Sequence, residues 1–375
     1  MKQNIKVAIQ VSDLDHSRID GTRVYLREIL KRFGKIDVET NFHLYHQSVF
    51  NKNLTPPSFP NYFVKACFFP FAWMQTRFAW EIFHIAPEKL FLPIQAAPFF
   101  VAKKTEVTAT IHDLAFKRYP ETFPKMQLFK LNLLLEIAVR RANKLIAVSE
   151  STKRDLLEFF PKLPSERIRV IYHGFDDTFF RVRCTPLLLS QTLAQYHIEH
   201  ANYILYVGAL QPRKNLVRLI EAFNIAKQIV PEMKLVLAGE KAWLADAIFE
   251  AREKSPYVED IIMTGAVSFE NLRALYQGAR FFAFPSLYEG FGLPILEAFA
   301  SGIPVLTAHN SSLIEVGGDA VVSCDASDTE NIAEKMVTLW NDEALRKELI
   351  SKGEEQLKKF SWDKCTEETL EYILS

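Results

Sequence analysis

Short apolar runs rich in valine and isoleucine alternate along this chain with segments of helical period, and that alternation restricts the fold more than any other feature. In the first half such runs lie at 7–11, 107–111, 145–148 and 168–172, and they read as strands buried on both faces. Helices are predicted between them at 22–33, 124–142 and 151–159, the last opened by a Ser149 or Ser151 cap. The second half repeats the pattern with strands expected at 204–207, 235–238, 261–264, 281–284, 305–307 and 320–323. Repeating βα units imply an α/β fold of parallel sheets covered by helices. Ligands of such sheets bind beyond the carboxyl ends of the strands, so function is sought just after strands.

At 375 residues the chain exceeds what one core organises, and two domains are expected: residues 1–185 and 186–359, joined somewhere in 176–201, where the period fades. Residues 360–375 form a terminal amphipathic helix, with Ser361 as cap and Trp362, Leu370, Tyr372 and Ile373 as anchors that need a surface to pack on. Forty-five basic residues balance forty-five acidic ones, so no global field recruits nucleic acid. Four scattered cysteines, Cys67, Cys184, Cys324 and Cys365, show neither a metal spacing nor a disulfide framework and read as reduced thiols of a cytoplasmic protein. Residues 1–11 lack a leader's apolar segment, and the longest apolar run, 66–74, is too short for a membrane span.

The densest chemical signal is the segment from Ser286 to Ala298, directly after the apolar run 281–284. It reads as a strand, a glycine turn and a helix. Gly290 and Gly292 permit close backbone approach, Leu293 follows them, and Pro294 suits a first helical turn because its missing donor is not needed there. Free N–H groups at such a helix start hold phosphate. Glu289 precedes the turn and Glu297 lies one turn into the helix, so the two carboxylates bracket a phosphate site, with sugar hydroxyls as their natural partners. A plain glycine–proline turn with an acidic helix start reads the same residues without function.

The spacing of Glu289 and Glu297, with Phe291 and Gly292 between them, resembles the Glu-x7-Glu motif of glycosyltransferase family 4, whose members are retaining enzymes of the GT-B fold. The likeness extends to Val207, Gly208, Arg213, Lys214 and Asn215, to Gly265 and Val267, to Ser301, Gly302 and Pro304, and to Phe360 and Trp362. It implies two Rossmann-like domains facing a cleft, with a nucleoside-diphosphate sugar as donor and a glycan or lipid-linked glycan as acceptor. In that setting Arg213 and Lys214 hold the diphosphate, Glu297 the ribose and Glu289 the sugar. Gly208, Gly290, Phe291, Gly292 and Leu293 line the donor site, and Val267 meets the base through its backbone. The terminal helix is expected to pack back on the first domain. Retention comes from the resemblance alone, by front-face attack aided by the leaving phosphate.

A guanidinium and an ammonium fixed against the leaving diphosphate stabilise its growing charge, so neither a metal nor a cofactor is expected. Asp13 and Asp15 form a short Asp-x-Asp after the first strand, which we read as a false match to a cation site. His112 and Asp113 follow the 107–111 run and resemble the His-Asp-Leu segment of bacterial mannosyltransferases in this family. That likeness places His112 beside the donor sugar, with Asp113 orienting it, capping the next segment or meeting the acceptor hydroxyl, and it makes GDP-mannose the first choice of donor. UDP-linked glucose or N-acetylhexosamine fits the same cradle. The first turn departs from the family: Gly21 stands alone where a glycine cluster is usual, and Arg23 either closes an anionic site or faces water. His173, in a segment resembling the end of the family's first domain, reads as structural.

Residues 62–83 carry eight phenylalanine and tryptophan side chains. Two readings stand: a helix pair packed beneath the first sheet, or a surface for membrane or lipid acceptor, helped by Arg27, Lys31, Arg32 and Lys35. The second would bring the enzyme to the cytoplasmic membrane face. Polysaccharide or O-antigen synthesis is the expected setting, with a nucleotide-sugar epimerase or a noncatalytic sugar-nucleotide-binding protein as the alternatives.

Overall fold

The computed structural model describes residues 6–17 and 20–375, and in it the βα alternation becomes two wholly parallel sheets. Residues 1–5, on which part of the expectation about a leader falls, lie outside the described residues. One compact unit comprises the described residues of Met1–Leu114 with Met126–Gly174 and Ser361–Ser375; the other comprises Ala115–Lys125 and Phe175–Phe360.

The first unit holds seven strands: β1 (Lys6–Gln10), β2 (Asn41–His46), β3 (Tyr62–Ala66), β4 (Lys89–Leu92), β5 (Glu106–Ile111), β6 (Lys144–Ala147) and β7 (Ile168–Val170). Their order is β3-β2-β1-β4-β5-β6-β7. Central strands are buried on both faces; in β5, Val107, Ala109 and Ile111 are buried together with Thr108 and Thr110. Helices Gly21–Ile36, Lys125–Arg141 and Glu150–Phe159 fall where the helical period predicts them, and Ser149 is the cap of the last, accepting from the Thr152 amide.

Three strands of this unit, β2, β3 and β4, are absent from the sequence-based expectation. In the same stretch the expected helix pair at 62–83 is corrected. Tyr62–Ala66 is the edge strand, a loop follows, and a single helical stretch runs through Met74–Phe78 and Ala79–Ile85. The aromatic density hid the change of period, because rings suit strand and helix alike. Trp73 and Phe78 stack in the core at 4.9 Å, whereas Phe63, Phe68, Phe69, Phe71, Trp80 and Phe83 are exposed.

The terminal helix Trp362–Leu374 belongs to this unit and packs on Gly21–Ile36. Ser361 caps it, accepting from the Asp363 and Lys364 amides, while Trp362, Leu370 and Ile373 are buried. Tyr372 donates its hydroxyl hydrogen to the Arg167 carbonyl at 3.0 Å.

The second unit holds β8 (Tyr203–Val207), β9 (Lys234–Ala238), β10 (Ile261–Gly265), β11 (Phe281–Phe284), β12 (Val305–Ala308) and β13 (Val321–Cys324) in the order β10-β9-β8-β11-β12-β13. All six coincide within a residue or so with the predicted runs. The aperiodic stretch after residue 176 contains a helix, Pro186–Gln195, in which Pro186 occupies the first turn and Thr185 is the cap. Among the described residues, no helix is long and apolar enough to cross a membrane, and the four cysteines are unbridged.

Candidate active site

In the second sheet the chain runs outward from β8 through β9 to β10, then returns to the other side of β8 as β11. The strand order therefore reverses between β8 and β11, and in an open parallel sheet that reversal parts the flanking loops and leaves a crevice at the carboxyl edge. Gly208, Arg213 and Lys214 follow β8; Glu289, Gly290, Phe291 and Gly292 follow β11. Both chemically dense segments of the sequence thus meet at one topological switch point.

Backbone devices shape the crevice. Gly208 has φ of +147° and Gly239 φ of +155°, and a Cβ on Gly239 would lie 1.9 Å from the Gly208 carbonyl oxygen, so only glycine lets β8 and β9 close at this edge. Asn215 adopts the left-handed conformation at φ +61°, and its side-chain amide donates to the carbonyls of Pro285 at 3.0 Å and Ala326 at 2.8 Å. This pins the end of the Arg213-Lys214 turn to the loop after β11. Gly292, at φ +117°, precedes helix Leu293–Ala300 and offers no side-chain cap to its first amides; Pro294 lies within its first two positions. Ser312 donates its hydroxyl to the Glu289 carbonyl at 2.8 Å and the Phe291 carbonyl at 2.7 Å, fixing the glycine turn from behind.

Glu289 lies on the two cations. Its Oε2 accepts from Arg213 Nη1 at 2.9 Å and its Oε1 from Lys214 Nζ at 2.6 Å, with all three side chains nearly buried. Arg213 also donates to the Tyr288 carbonyl. Burial alone would raise the Glu289 carboxyl, but Arg213 and Lys214 together outweigh it and hold the group down at about 2. The sequence reading gives this carboxylate sugar hydroxyls as partners at the edge of a phosphate site; in the structure it is also the counter-ion of Arg213 and Lys214.

Glu297 is the opposite case. Burial raises its carboxyl to about 7, against the Tyr276 hydroxyl, which donates to Oε2 at 2.9 Å and favours the charged form; Asp176 adds to the rise. Tyr276 is fully buried on helix Phe269–Gly278, its ring edge-on to Phe180 at 5.7 Å. No local motif marks Tyr276, because its partner lies 21 positions along the chain. Val267 follows the edge strand β10, just before the Ser268 cap of that helix and two residues after Gly265 at φ +67°.

In the first unit, His112 follows β5. Its backbone N–H donates to Gln95 Oε1 at 3.1 Å, and Nε2 lies 2.8 Å from the Pro93 carbonyl oxygen. A carbonyl only accepts, so Nε2 carries the proton. Burial lowers the ring's pKa, leaving a neutral imidazole whose Nδ1 is the basic nitrogen. The Asp113 amide lies 3.4 Å from the same Gln95 oxygen. Tyr25 is the hub behind this histidine, edge-on to His112 at 5.2 Å and stacked on His173 at 4.8 Å; His173 in turn lies 5.5 Å from the Trp362 ring of the terminal helix. Gly21 begins its helix exposed, and Arg23 braces the turn before it, paired with Asp20 and donating to the Asp13 carbonyl at 3.0 Å. Asp15 is spent on structure, accepting from the amides of Gln47 at 2.9 Å and Ser48 at 2.8 Å and lying 3.0 Å from His46 Nδ1.

Two doubly wound parallel units, one with paired cations at its switch point, are the architecture of the GT-B class. Residues 21–179 match Glycosyltransferase Family 4 and residues 193–356 match Glycosyl transferases group 1. The chain belongs to glycosyltransferase family 4. It is 31% identical over 274 residues to O-antigen chain mannosyltransferase B of Escherichia coli, covering 72% of this chain and 71% of that one. Against the serotype-specific mannosyltransferase WbdA of Escherichia coli it is 30% identical over 242 residues, 64% of this chain but only 29% of the relative. The fold is shared with Anabaena HepE, solved with UDP and glucose, at a TM-score of 0.76 and 18% identity over 99% of this chain and 100% of that one. It is also shared with WaaG, a glycosyltransferase of lipopolysaccharide biosynthesis, at 0.74 and 15% over 98% and 99%.

Proposed function

We propose that this glycosyltransferase moves mannose from GDP-mannose to a hydroxyl of a glycan or lipid-linked glycan in O-antigen or related polysaccharide synthesis, with retention of configuration and without a metal. The observation that carries the reading is the convergence of Arg213 and Lys214, 2.9 and 2.6 Å from a shared carboxylate, at the switch point of the second sheet. Mannose as the sugar is supported by the likeness to O-antigen mannosyltransferases and by the His112-Asp113 segment.

Cleavage of the sugar C1–O bond leaves negative charge on the diphosphate. Arg213 and Lys214 are already ordered around an anion, so they meet that charge with little reorganisation, which makes their stabilisation largest as the bond breaks. The incoming diphosphate shares or replaces Glu289 on the cations, and the released carboxylate turns to the sugar hydroxyls. Glu297 accepts from the ribose. His112, neutral and with Nδ1 as acceptor, serves the sugar and acceptor side of the reaction. GDP- and UDP-linked sugars are to be screened by thermal shift, and the stabilising donor incubated with lipid-linked glycan acceptors in EDTA. A mannosylated product from GDP-mannose is expected. Transfer only from a UDP-sugar would reject the donor, and donor interconversion without acceptor would reject the reaction.

A further inference from the structure

The first sheet has a switch point of its own. Its chain steps from β1 through β2 to β3, then returns to the other side of β1 as β4, so the loops after β1 and β4 part at the carboxyl edge. Beyond that edge a side chain continues what the backbone has left off. β4 and β5 pair at a constant offset of 17 residues, from Lys89 beside Glu106 to Leu92 beside Ala109, and the same offset sets Gln95 against His112. The strand ladder ends at Leu92, and Gln95 Oε1 stands in for a ladder carbonyl: it accepts from the His112 amide at 3.1 Å and from the Asp113 amide at 3.4 Å. In the same loop the Pro93 carbonyl accepts from His112 Nε2 at 2.8 Å. Residues 93–95 therefore hold this histidine twice, by its backbone and by its ring, and leave Nδ1 as the acceptor. The loop is braced in turn, since the Ala96 amide donates to the Ile94 carbonyl at 2.9 Å, while Gln75 donates to the Ala97 carbonyl at 2.9 Å and accepts from the Phe99 amide at 2.7 Å.

These bonds also fix which way the Gln95 amide faces. Only an oxygen can meet two N–H donors, so Oε1 lies against the strand end and Nε2 points away from it. Among the described residues Nε2 has no hydrogen-bond partner, and Gln95 and His112 are both half-buried, open to a ligand. Gln10 ends β1, on the other lip of the same crevice. Its Nε2 donates to Asp13 Oδ2 at 3.1 Å, whereas its Oε1 is buried with no hydrogen-bond partner among the described residues. A crevice that carries one unused amide donor and one unsatisfied buried amide oxygen suits a polyhydroxylated ligand, because each hydroxyl both donates and accepts.

We infer that Gln95 is a positioning and specificity-determining residue: its Oε1 sets the His112 and Asp113 peptides so that His112 Nδ1 faces the acceptor, and its Nε2 donates to a non-reacting hydroxyl of the acceptor sugar. The hydroxyl contact rests on the glycosyl-transfer reading given above; the clamp on His112 does not.

Proton–nitrogen spectra of the full chain labelled at histidine, with His112→Gln to identify the His112 signals, read the clamp without donor or acceptor. The wild type should show the neutral Nε2–H form of that ring. Gln95→Glu keeps an oxygen for both amides and should preserve the pattern, whereas Gln95→Leu leaves the amides bare and should shift or broaden it. Gln95→Asn, one methylene too short to reach them, gives the same reading should the leucine variant fail to fold. In steady-state transfer to the acceptor that the wild type uses, Gln95→Glu should raise the acceptor KM about tenfold and change kcat far less, as expected for one lost hydrogen bond. Gln95→Leu should also lower kcat about tenfold, because His112 is no longer held. GDP affinity, set in the other unit, should stay at the wild-type value in both. A wild-type acceptor KM in Gln95→Glu would reject the hydroxyl contact, and unchanged His112 signals in a folded Gln95→Leu or Gln95→Asn would reject the clamp. A wild-type chain that transfers no sugar to any acceptor would reject the glycosyl-transfer reading and the hydroxyl contact with it, while the histidine signals still decide the clamp.

Discussion

Tyr276 donates its hydroxyl hydrogen to Glu297 Oε2 across 2.9 Å, and this bond opposes the burial that raises the carboxyl to about 7. A ribose hydroxyl binds best to the charged carboxylate, so donor affinity should rise between pH 6 and pH 8, about tenfold at most. Replacing Tyr276 by Phe removes a group that lowers the pKa, and the midpoint should move to higher pH. Glu297→Gln should flatten the profile. Titration calorimetry with GDP across this range measures all three, and an unshifted midpoint in Tyr276→Phe would remove the tyrosine from the donor site.

The same carboxyl makes a separate claim on stability. Its folded pKa lies above the ordinary 4.5, so the protonated form favours the fold; the contribution is complete below pH 4.5 and is lost as pH rises through 7. Glu297→Gln should therefore stabilise the protein at pH 8, by on the order of 2 kcal/mol, and leave it nearly unchanged at pH 4. Urea melts at the two pH values measure the difference.

Glu289 reverses that sign. Held at about 2 by Arg213 and Lys214, it contributes stability above pH 4.5 that fades as pH falls toward 2. Glu289→Ala removes the shared counter-ion of two nearly buried cations and should cost about 3 to 5 kcal/mol. Pyrophosphate or GDP then supplies the missing anion, so either should raise the melting temperature of the variant more than that of the wild type. Equal shifts would mean that the donor does not use these cations.

Lys214→Ala removes the ammonium without touching the fold of the turn, which Asn215 secures through Pro285 and Ala326. Losing one preorganised donor to a developing anion costs roughly a hundredfold to a thousandfold in kcat. Donor KM should rise far less, because the larger share of the interaction appears as the bond breaks. Steady-state kinetics with saturating acceptor separate the two parameters.

How much of this was legible beforehand differs between the halves. In the second sheet, runs such as Phe281–Phe284 are buried completely, short and flanked by turn residues, so strand, switch point and motif could be read in register. In the first, β2 carries His43, Tyr45 and His46, β3 is an exposed edge with Lys65, and β4 has only four residues. The first two lack the apolar run that marks a central strand, whereas the short Leu90-Phe91-Leu92 run of β4 carries no β-branched residue to set it apart from a helical segment. Within the site, residues adjacent in sequence were found, whereas the Glu289 ion pair and the Tyr276 partnership depend on contacts 75 and 21 positions apart. Local pattern names the residues that can carry charge; only the folded chain decides which charges meet.

The terminal helix offers a final test. A Cβ on Gly174 would lie 2.1 Å from the Trp362 backbone nitrogen, so Gly174→Ala must push the start of that helix away. Trp362 packs against His173, which stacks on Tyr25, and Tyr25 lies edge-on to His112. Overpacking against backbone costs about 1 to 3 kcal/mol or more, and the helix should become open to proteolysis near residue 360. If the stack orients His112, kcat should fall while GDP affinity, set in the other unit, stays unchanged. Trp362→Phe keeps a ring in place and should retain most of the activity, whereas Trp362→Ala should behave like Gly174→Ala. A variant that loses the helix to protease yet transfers sugar at the wild-type rate would show that the aromatic stack serves only the fold.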